Sequence, residues 1–382
     1  PLSGWCSWYH YYGQETEADI LANLSELAAP PLAGKVRVLQ VDDGWNLPEP
    51  GHPRVWGDWH PGAKFPRGMK ALVDDIRRAG LQAGLWLAPF TVTKDSRLYR
   101  EHPDWLVGED PGSVLAMPDF GLDLTHPGVL AWLDETFRRV FDDWGFDYVK
   151  LDFLLYGSIP GRRHDPSKTG AEAFRMGLDL VRRLAGDRFV LACGSPLLPA
   201  AGLVDGMRIG PDVGARWALP INPGAWPYGN CALRPALVYT LYRQYMNGIL
   251  WQNDPDCLVV RDFGTREERR SFGETFLGHP MTEAEYGLSL EQARTWAEAI
   301  RRTGGMRLLS EVYSGLSPDR QALALSMFGP TGSGGAPYGR ARLRDRYDDP
   351  DFLELQCDDG VARFDLLRGG MTLHPADGAP RP

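Results

Sequence analysis

Short apolar runs alternate with amphipathic stretches along roughly the first three hundred residues of the chain. The runs GWCSWYH, VRVLQVDDGW, LQAGLWLAPF, FDYVKLDFLL, RFVLACGS, DGMRIG and NGILWQND have the length and near-continuous hydrophobicity of strands buried on both faces. Between them lie helical stripes: Met69, Leu72, Val73, Ile76 and Gly80 recur at helical spacing, as do Leu130, Leu133, Phe137, Val140 and Phe141. Strands alternating with helices predict a parallel sheet of βα units. Seven strands are legible, and an eighth expected around Thr275 to Met281 completes an α/β (β/α)8 TIM barrel over residues 1–303. A last helix is expected from Ser289 to Arg302. Beyond it the pattern shortens to ALALSMF, FLELQC and ARFDLL, broken by Gly, Pro and Asp-Gly turns. FLELQC and VARFDLL around an Asp-Asp-Gly turn read as a hairpin, so residues 304–382 are expected to form a small C-terminal antiparallel β domain. The Gly- and Arg-rich stretch ahead of that hairpin reads as a surface loop, since it lacks the Gly-Lys-Ser/Thr ending of a phosphate loop.

Polar residues sit at the C-terminal ends of the strand candidates: Asp42 and Asp43, Trp86, Asp152, Cys193, Arg208, Asp212, and Asn253 with Asp254. In an eight-stranded barrel those ends share one face, and that face carries the chemistry. Asp152 and Asp212 each close an apolar segment with a basic residue nearby, which points to a carboxylate pair of the kind that cleaves glycosidic bonds. Lys150 lies two residues before Asp152, on the same side of a strand, and is expected to hold that carboxylate ionised as a nucleophile. Asp212, after the turn-forming Ile209-Gly210-Pro211, suits an acid/base that must gain and lose a proton. Arg208, Asp42 and Asp43 suit sugar hydroxyls, and Trp86 a sugar face. The plainer readings stay open at this point: a buried ion pair at Asp152, a turn residue at Asp212, an Asx turn at Asp42 and Asp43, and a core role for Trp86.

Composition narrows the partner. With 41 basic against 50 acidic residues the net charge is −9, which argues against nucleic acid or an anionic membrane and favours a neutral small molecule. Aromatics at 11 %, with 13 tryptophans, suit the apolar faces of sugars but also a large core. Trp5, Trp8, Trp59, Trp217 and Trp251 rival Trp86 as platforms. The five cysteines, Cys6, Cys193, Cys231, Cys257 and Cys357, show neither zinc nor disulfide spacing, so no metal or cofactor is expected and a reducing, cytoplasmic setting is. The histidines have no triad or ligand spacing, and no serine-hydrolase elbow or dinucleotide fingerprint occurs. The chain opens on Pro1 directly before a strand-like run, as though set within a larger architecture.

The runs VDDGW, GLWLAPF, HPDWLV, YVKLDFLLYGSIPG, CGSPLLPA, VDGMRIGPDV and NDPDCLVVR follow in this order from Gly4 to Arg261. This ordered set resembles the retaining α-galactosidases of glycoside hydrolase family 36, clan D, and its bacterial members in particular. The resemblance implies exo-hydrolysis of terminal α-linked galactose from sugars such as melibiose and raffinose, by double displacement without a metal. By position it implies a nucleophile at Asp152, an acid/base at Asp212, and sugar-binding roles for Asp42, Asp43, Trp86, Lys150, Cys193 and Arg208. It further implies an N-terminal β-sandwich, absent from this sequence, and a Ser-Asp pair on the eighth strand, where HPMTEAEYG stands instead. A galactosyltransferase of the raffinose-synthase type and a non-catalytic carbohydrate-binding barrel are the alternatives.

Overall fold

Three- to six-residue segments, most of them apolar, fold as strands β1 (Ser3–Cys6), β2 (Val38–Val41), β3 (Gln82–Leu87), β4 (Tyr148–Leu151), β5 (Phe189–Ala192), β6 (Gly206–Arg208), β7 (Gln252–Asp254) and β8 (Arg307–Leu309). The structure is a computed structural model that describes residues 1–49, 51–107, 119–218, 231–262, 287–329, 341–344 and 349–375. The eight strands form one parallel sheet in the order β7-β6-β5-β4-β3-β2-β1-β8. That is chain order with the last strand brought round beside the first, Ser3 opposite Arg307. At the remaining edge Met306 N donates to Asn253 O at 2.7 Å, and Leu258 N donates to Leu308 O at 2.6 Å. The sheet is therefore a nearly closed (β/α)8 barrel.

The chain divides into two compact units, Cys6–Arg208 on the one hand and Pro1–Trp5 with Ile209–Pro382 on the other. In the first, helix Gly68–Arg78 buries Met69, Leu72, Val73 and Ile76, the stripe read from its sequence. Capping boxes fix where two other helices begin, Thr16 with Asp19 at Glu17–Leu27 and Thr169 with Glu172 at Gly170–Ala185. Helix Pro127–Arg138 buries Leu133 and Phe137 and runs on into a π-helical turn, Arg139–Trp144, that buries Val140 and Phe141. In the second unit, Ser289 and Gln292 form the capping box of helix Leu290–Thr303, which ends at Gly304 with φ +75°. A separate antiparallel sheet contains β9 (Arg342–Arg344), β10 (Phe352–Cys357), β11 (Gly360–Asp365) and β12 (Met371–Pro375) in chain order, with the expected hairpin joining β10 to β11.

Two expectations change. The stretch Thr275 to Met281 lies outside the described residues, and the eighth member of the barrel sheet is Arg307–Leu309, past the boundary drawn at residue 303. Three residues after a Gly304-Gly305 break are too few to show a period, and their pairing with β1 comes from across the whole chain. ALALSMF, read as part of a strand, lies largely in helix Pro318–Ser326. Alanine and leucine are strong helix formers. Pro318 at the first helical position and the buried Arg320 and Ala324, four residues apart, fit that state.

One glycine holds the loop after β2 in place. Gly44 has φ +113°, and a Cβ there would lie 2.6 Å from Gly13 O and 2.7 Å from Gly13 Cα. Gly44→Ala is expected to destabilise the protein by about 2–5 kcal/mol, combining backbone strain with overpacking. Gly34, with φ +73° and nothing within 4 Å of its would-be Cβ, should lose only the strain part of that when replaced by alanine. Urea denaturation of both variants checks the contrast, and equal losses would refute the close approach as the cause.

Candidate active site

The polar residues singled out at the strand ends stand there, apart from Asp212, which lies beyond the end of β6. Asp42 and Asp43 follow β2, Trp86 lies in the last turn of the pleat of β3, and Asp152 and Cys193 directly follow β4 and β5. Arg208 ends β6, and Asn253 and Asp254 end β7. Register adds detail that order alone lacks: Trp86 is the partner of Lys150 across β3 and β4, so the two project from neighbouring positions on one side of the sheet.

The first unit holds seven of the eight expected site residues, all but Asp212, and among them Lys150 has a side chain only 5 % exposed. Its ammonium Nζ donates to Asp42 Oδ2 at 3.0 Å and stands 3.9 Å from Asp152 Oδ2. The expected sharing of one side by Lys150 and Asp152 is present, but the closer partner is Asp42. Burial alone would lower the lysine, yet the charges of Asp42, Cys193 and Asp152 outweigh it and the opposing Arg208, holding Lys150 well above its ordinary value. The ammonium is therefore a fixed positive charge at any ordinary pH.

Asp152 is oriented from three directions. Phe153 N donates to Oδ1 at 2.7 Å, Trp86 Nε1 donates to Oδ2 at 3.1 Å, and Asp152 N donates to Leu87 O at 2.8 Å. Phe153 adopts φ +51°, a left-handed conformation that turns its N–H back onto the carboxylate. Gly194 closes in from the loop after β5: a Cβ there would lie 3.2 Å from Asp152 Oδ1. The side chain keeps 16 % exposure, against 5 % for Lys150. A carboxylate with two donors fixing its plane and a cation nearby, still reachable from outside, has the form required of a nucleophile. Trp86 is 2 % exposed, which is a poor fit to an open sugar platform and a good one to a hydrogen-bond donor packed under Asp152.

Asp42 and Asp43 face different ways, as adjacent residues leaving a strand should. Asp42 Oδ2 accepts from Gln40 Nε2 at 2.5 Å and from Cys6 Sγ at 3.4 Å besides Lys150. Gln40 is itself held by Tyr148, whose hydroxyl donates to Gln40 Oε1 at 2.8 Å. Asp43 is bound instead by Arg54 and Trp56. Sequence reasoning missed all four of these partners, Cys6, Gln40, Arg54 and Trp56. Gln40 had a signal in its two-residue spacing from Asp42, whereas the loop positions Arg54 and Trp56 carry no periodicity.

Asp212 belongs to the second unit, where it is half-buried in the segment after β6. That segment is pinned on both sides. Ile209 N donates to Asp254 O at 3.0 Å, and Val213 N donates to Asp256 Oδ2 at 2.9 Å. Asp256 is fully buried at φ +85°, a strained setting for a residue that sequence reasoning did not single out. Among the described residues no group of three or more His, Cys, Asp or Glu side chains is arranged to hold a metal ion, and no helix is long and apolar enough to cross a membrane.

The barrel sheet thus carries carboxylates and a buried lysine at its strand ends. Residues 3–185 match the family Melibiase. It is 30 % identical over 185 residues to α-galactosidase AgaA of Geobacillus stearothermophilus, covering 47 % of this chain and 24 % of that protein. With the α-galactosidase of Escherichia coli it shares 28 % identity over 177 residues, 43 % of this chain and 23 % of the other. The matched part thus spans about a quarter of these relatives. Among solved structures, TtGalA, an α-galactosidase from Thermus thermophilus in complex with p-nitrophenyl α-D-galactopyranoside, superposes with a TM-score of 0.71 at 30 % identity, covering 94 % of this chain and 66 % of that one. A family 27 β-L-arabinopyranosidase from Geobacillus stearothermophilus, at 18 % identity, TM-score 0.66 and coverage of 96 % and 83 %, shares the fold.

Proposed function

We propose that this chain is the catalytic barrel of a retaining, exo-acting α-galactosidase of the family 36 type, acting on terminal α-linked galactose in sugars such as melibiose and raffinose. The observation that carries the reading is Asp152: a partly exposed carboxylate at the end of β4, its plane set by Phe153 N and Trp86 Nε1 and its charge matched by Lys150. The likeness to TtGalA, bound in its structure to an α-galactoside, supports the choice of sugar.

In this reading an Asp152 oxygen attacks the anomeric carbon as the glycosidic bond breaks, and Asp212 gives its proton to the departing oxygen. Water, deprotonated by the Asp212 carboxylate, then displaces Asp152 and releases galactose with its configuration retained. Asp42, Asp43, Arg208 and Cys193 serve as the hydroxyl-binding set. Lys150 keeps positive charge beside two of the carboxylates throughout the cycle.

The expected result is that the purified chain releases p-nitrophenol from the α-galactoside and leaves the α-glucoside essentially untouched. Preference for the glucoside would overturn the substrate, and galactose binding without turnover would favour a carbohydrate-binding barrel. Transfer to added sugar in preference to water would favour the galactosyltransferase.

A further inference from the structure

Asp43 emerges from a buried strand with 7 % of its side chain exposed, and each of its oxygens has a protein donor. Arg54 Nε donates to Oδ2 at 2.9 Å, and Trp56 Nε1 donates to Oδ1 at 3.1 Å. A carboxylate oxygen accepts two hydrogen bonds, so this pair fixes the carboxylate plane while leaving acceptor capacity on both oxygens. The donors are themselves held. Thr93 Oγ1 donates to Arg54 O at 2.6 Å and Thr93 N donates to Trp56 O at 3.1 Å, so strand Thr91–Thr93 anchors the loop segment that carries both. The Arg54 guanidinium lies 5.3 Å from the centre of the Trp56 ring. That ring in turn packs at 4.8 Å against Phe153, whose N–H holds Asp152.

Arg54 is 38 % exposed where Asp43 is nearly enclosed. An ion pair with both partners in water contributes little. Here the cost falls on one side, because the enclosed carboxylate has lost its hydration and needs a partner to stay an acceptor. Burial pushes the Asp43 carboxyl up from its ordinary value, and Arg54 and the Trp56 hydrogen bond oppose that rise while Asp42 adds to it. Glu15, fully buried, and Lys64 also face Asp43. A protonated Asp43 would turn one oxygen into a donor and forfeit part of its capacity for sugar hydroxyls.

We propose that Arg54 is a positioning residue for galactoside binding, its guanidinium holding Asp43 as a hydrogen-bond acceptor in a desolvated setting and setting the carboxylate plane together with Trp56. The inference rests on the α-galactosidase reading. It gives the loop His52 to Trp56 a part in substrate affinity that strand-end position alone does not assign.

The test compares Arg54→Gln and Arg54→Lys with the wild type in KM and kcat for the aryl α-galactoside across pH, and in galactose affinity by isothermal titration. Arg54→Gln is expected to raise KM near neutrality by about tenfold to a hundredfold, the effect of losing a charge-assisted hydrogen bond, with kcat changed much less. The sign of the pH dependence follows from the charges. With Arg54 gone the upward push of burial is less opposed, the neutral acid persists to higher pH, and the KM defect shrinks as pH rises. Arg54→Lys, a point charge without the planar fork, should recover much of the loss. An unchanged KM, or one raised equally at every pH and not rescued by lysine, overturns the role of Arg54 while leaving an active wild type unexplained in no respect. A wild-type chain that neither binds galactose nor cleaves the substrate overturns both readings together.

Discussion

Replacing Asp152 with glycine is expected to reduce turnover of an aryl α-galactoside by roughly four orders of magnitude or more, because it removes the atom that bonds to the sugar. The expectation is specific to chemistry. The residue is only partly buried, and what its loss strands is one backbone N–H of Phe153 and one indole N–H of Trp86. Stability should therefore fall far less than activity, and a denaturation curve on the same preparation checks that. Azide, small enough for the space vacated by the carboxylate, should restore part of the rate. The product should be the β-galactosyl azide, formed by one displacement in place of two. Asp212→Ala separates the two roles: it should spare an aryl substrate, whose leaving group needs no proton, and slow an unactivated galactoside by about 10²–10⁴-fold. Identical behaviour of the two variants, or an azide of α configuration from Asp152→Gly, would overturn the assignment of nucleophile and acid/base.

How far these residues were legible in the sequence depends on the range of the interaction that places them. Lys150 and Asp152 were readable as a pair because two residues along a strand is a local repeat. The ends of the apolar runs were readable because a carboxylate after a buried strand is out of place unless it is used. Pairings made between strands were not. That Lys150 bonds more closely to Asp42 than to Asp152 depends on residues separated by 108 positions. Trp86 reads from the sequence as either a sugar platform or a core residue, and the structure encloses it with its indole N–H turned to Asp152, an orientation set by the register of β3 against β4. Arg54 and Trp56 reach Asp43 from an irregular loop, where no period marks them. The eighth strand failed for the same reason: Arg307–Leu309 is too short to announce itself, and its partner is at the start of the chain.

Lys150→Met should bring the second large effect, and its origin lies in which charges remain. The substitution keeps an unbranched side chain of similar length but removes the cation from between Asp42 and Asp152. Asp42 is 2 % exposed, and after the change its charge rests on Gln40, Cys6 and the Asp43 N–H, which donates to Oδ1 at 3.0 Å. Breaking a buried pair from one side in this way destabilises by about 3–5 kcal/mol. Urea denaturation at neutral pH should show that loss. Wild-type Lys150, held above its ordinary value, contributes fully below the unfolded lysine value, and the contribution disappears only as pH rises through the folded one. The double variant Lys150→Met with Asp42→Asn removes both charges, so most of the lost stability should return. Activity should not return with it, since Asp152 still lacks its cation and the hydroxyl-binding set lacks an acceptor. Recovery of both together would mean that the pair serves the fold alone. Recovery of neither would mean that Lys150 answers mainly to Asp152 despite the longer distance.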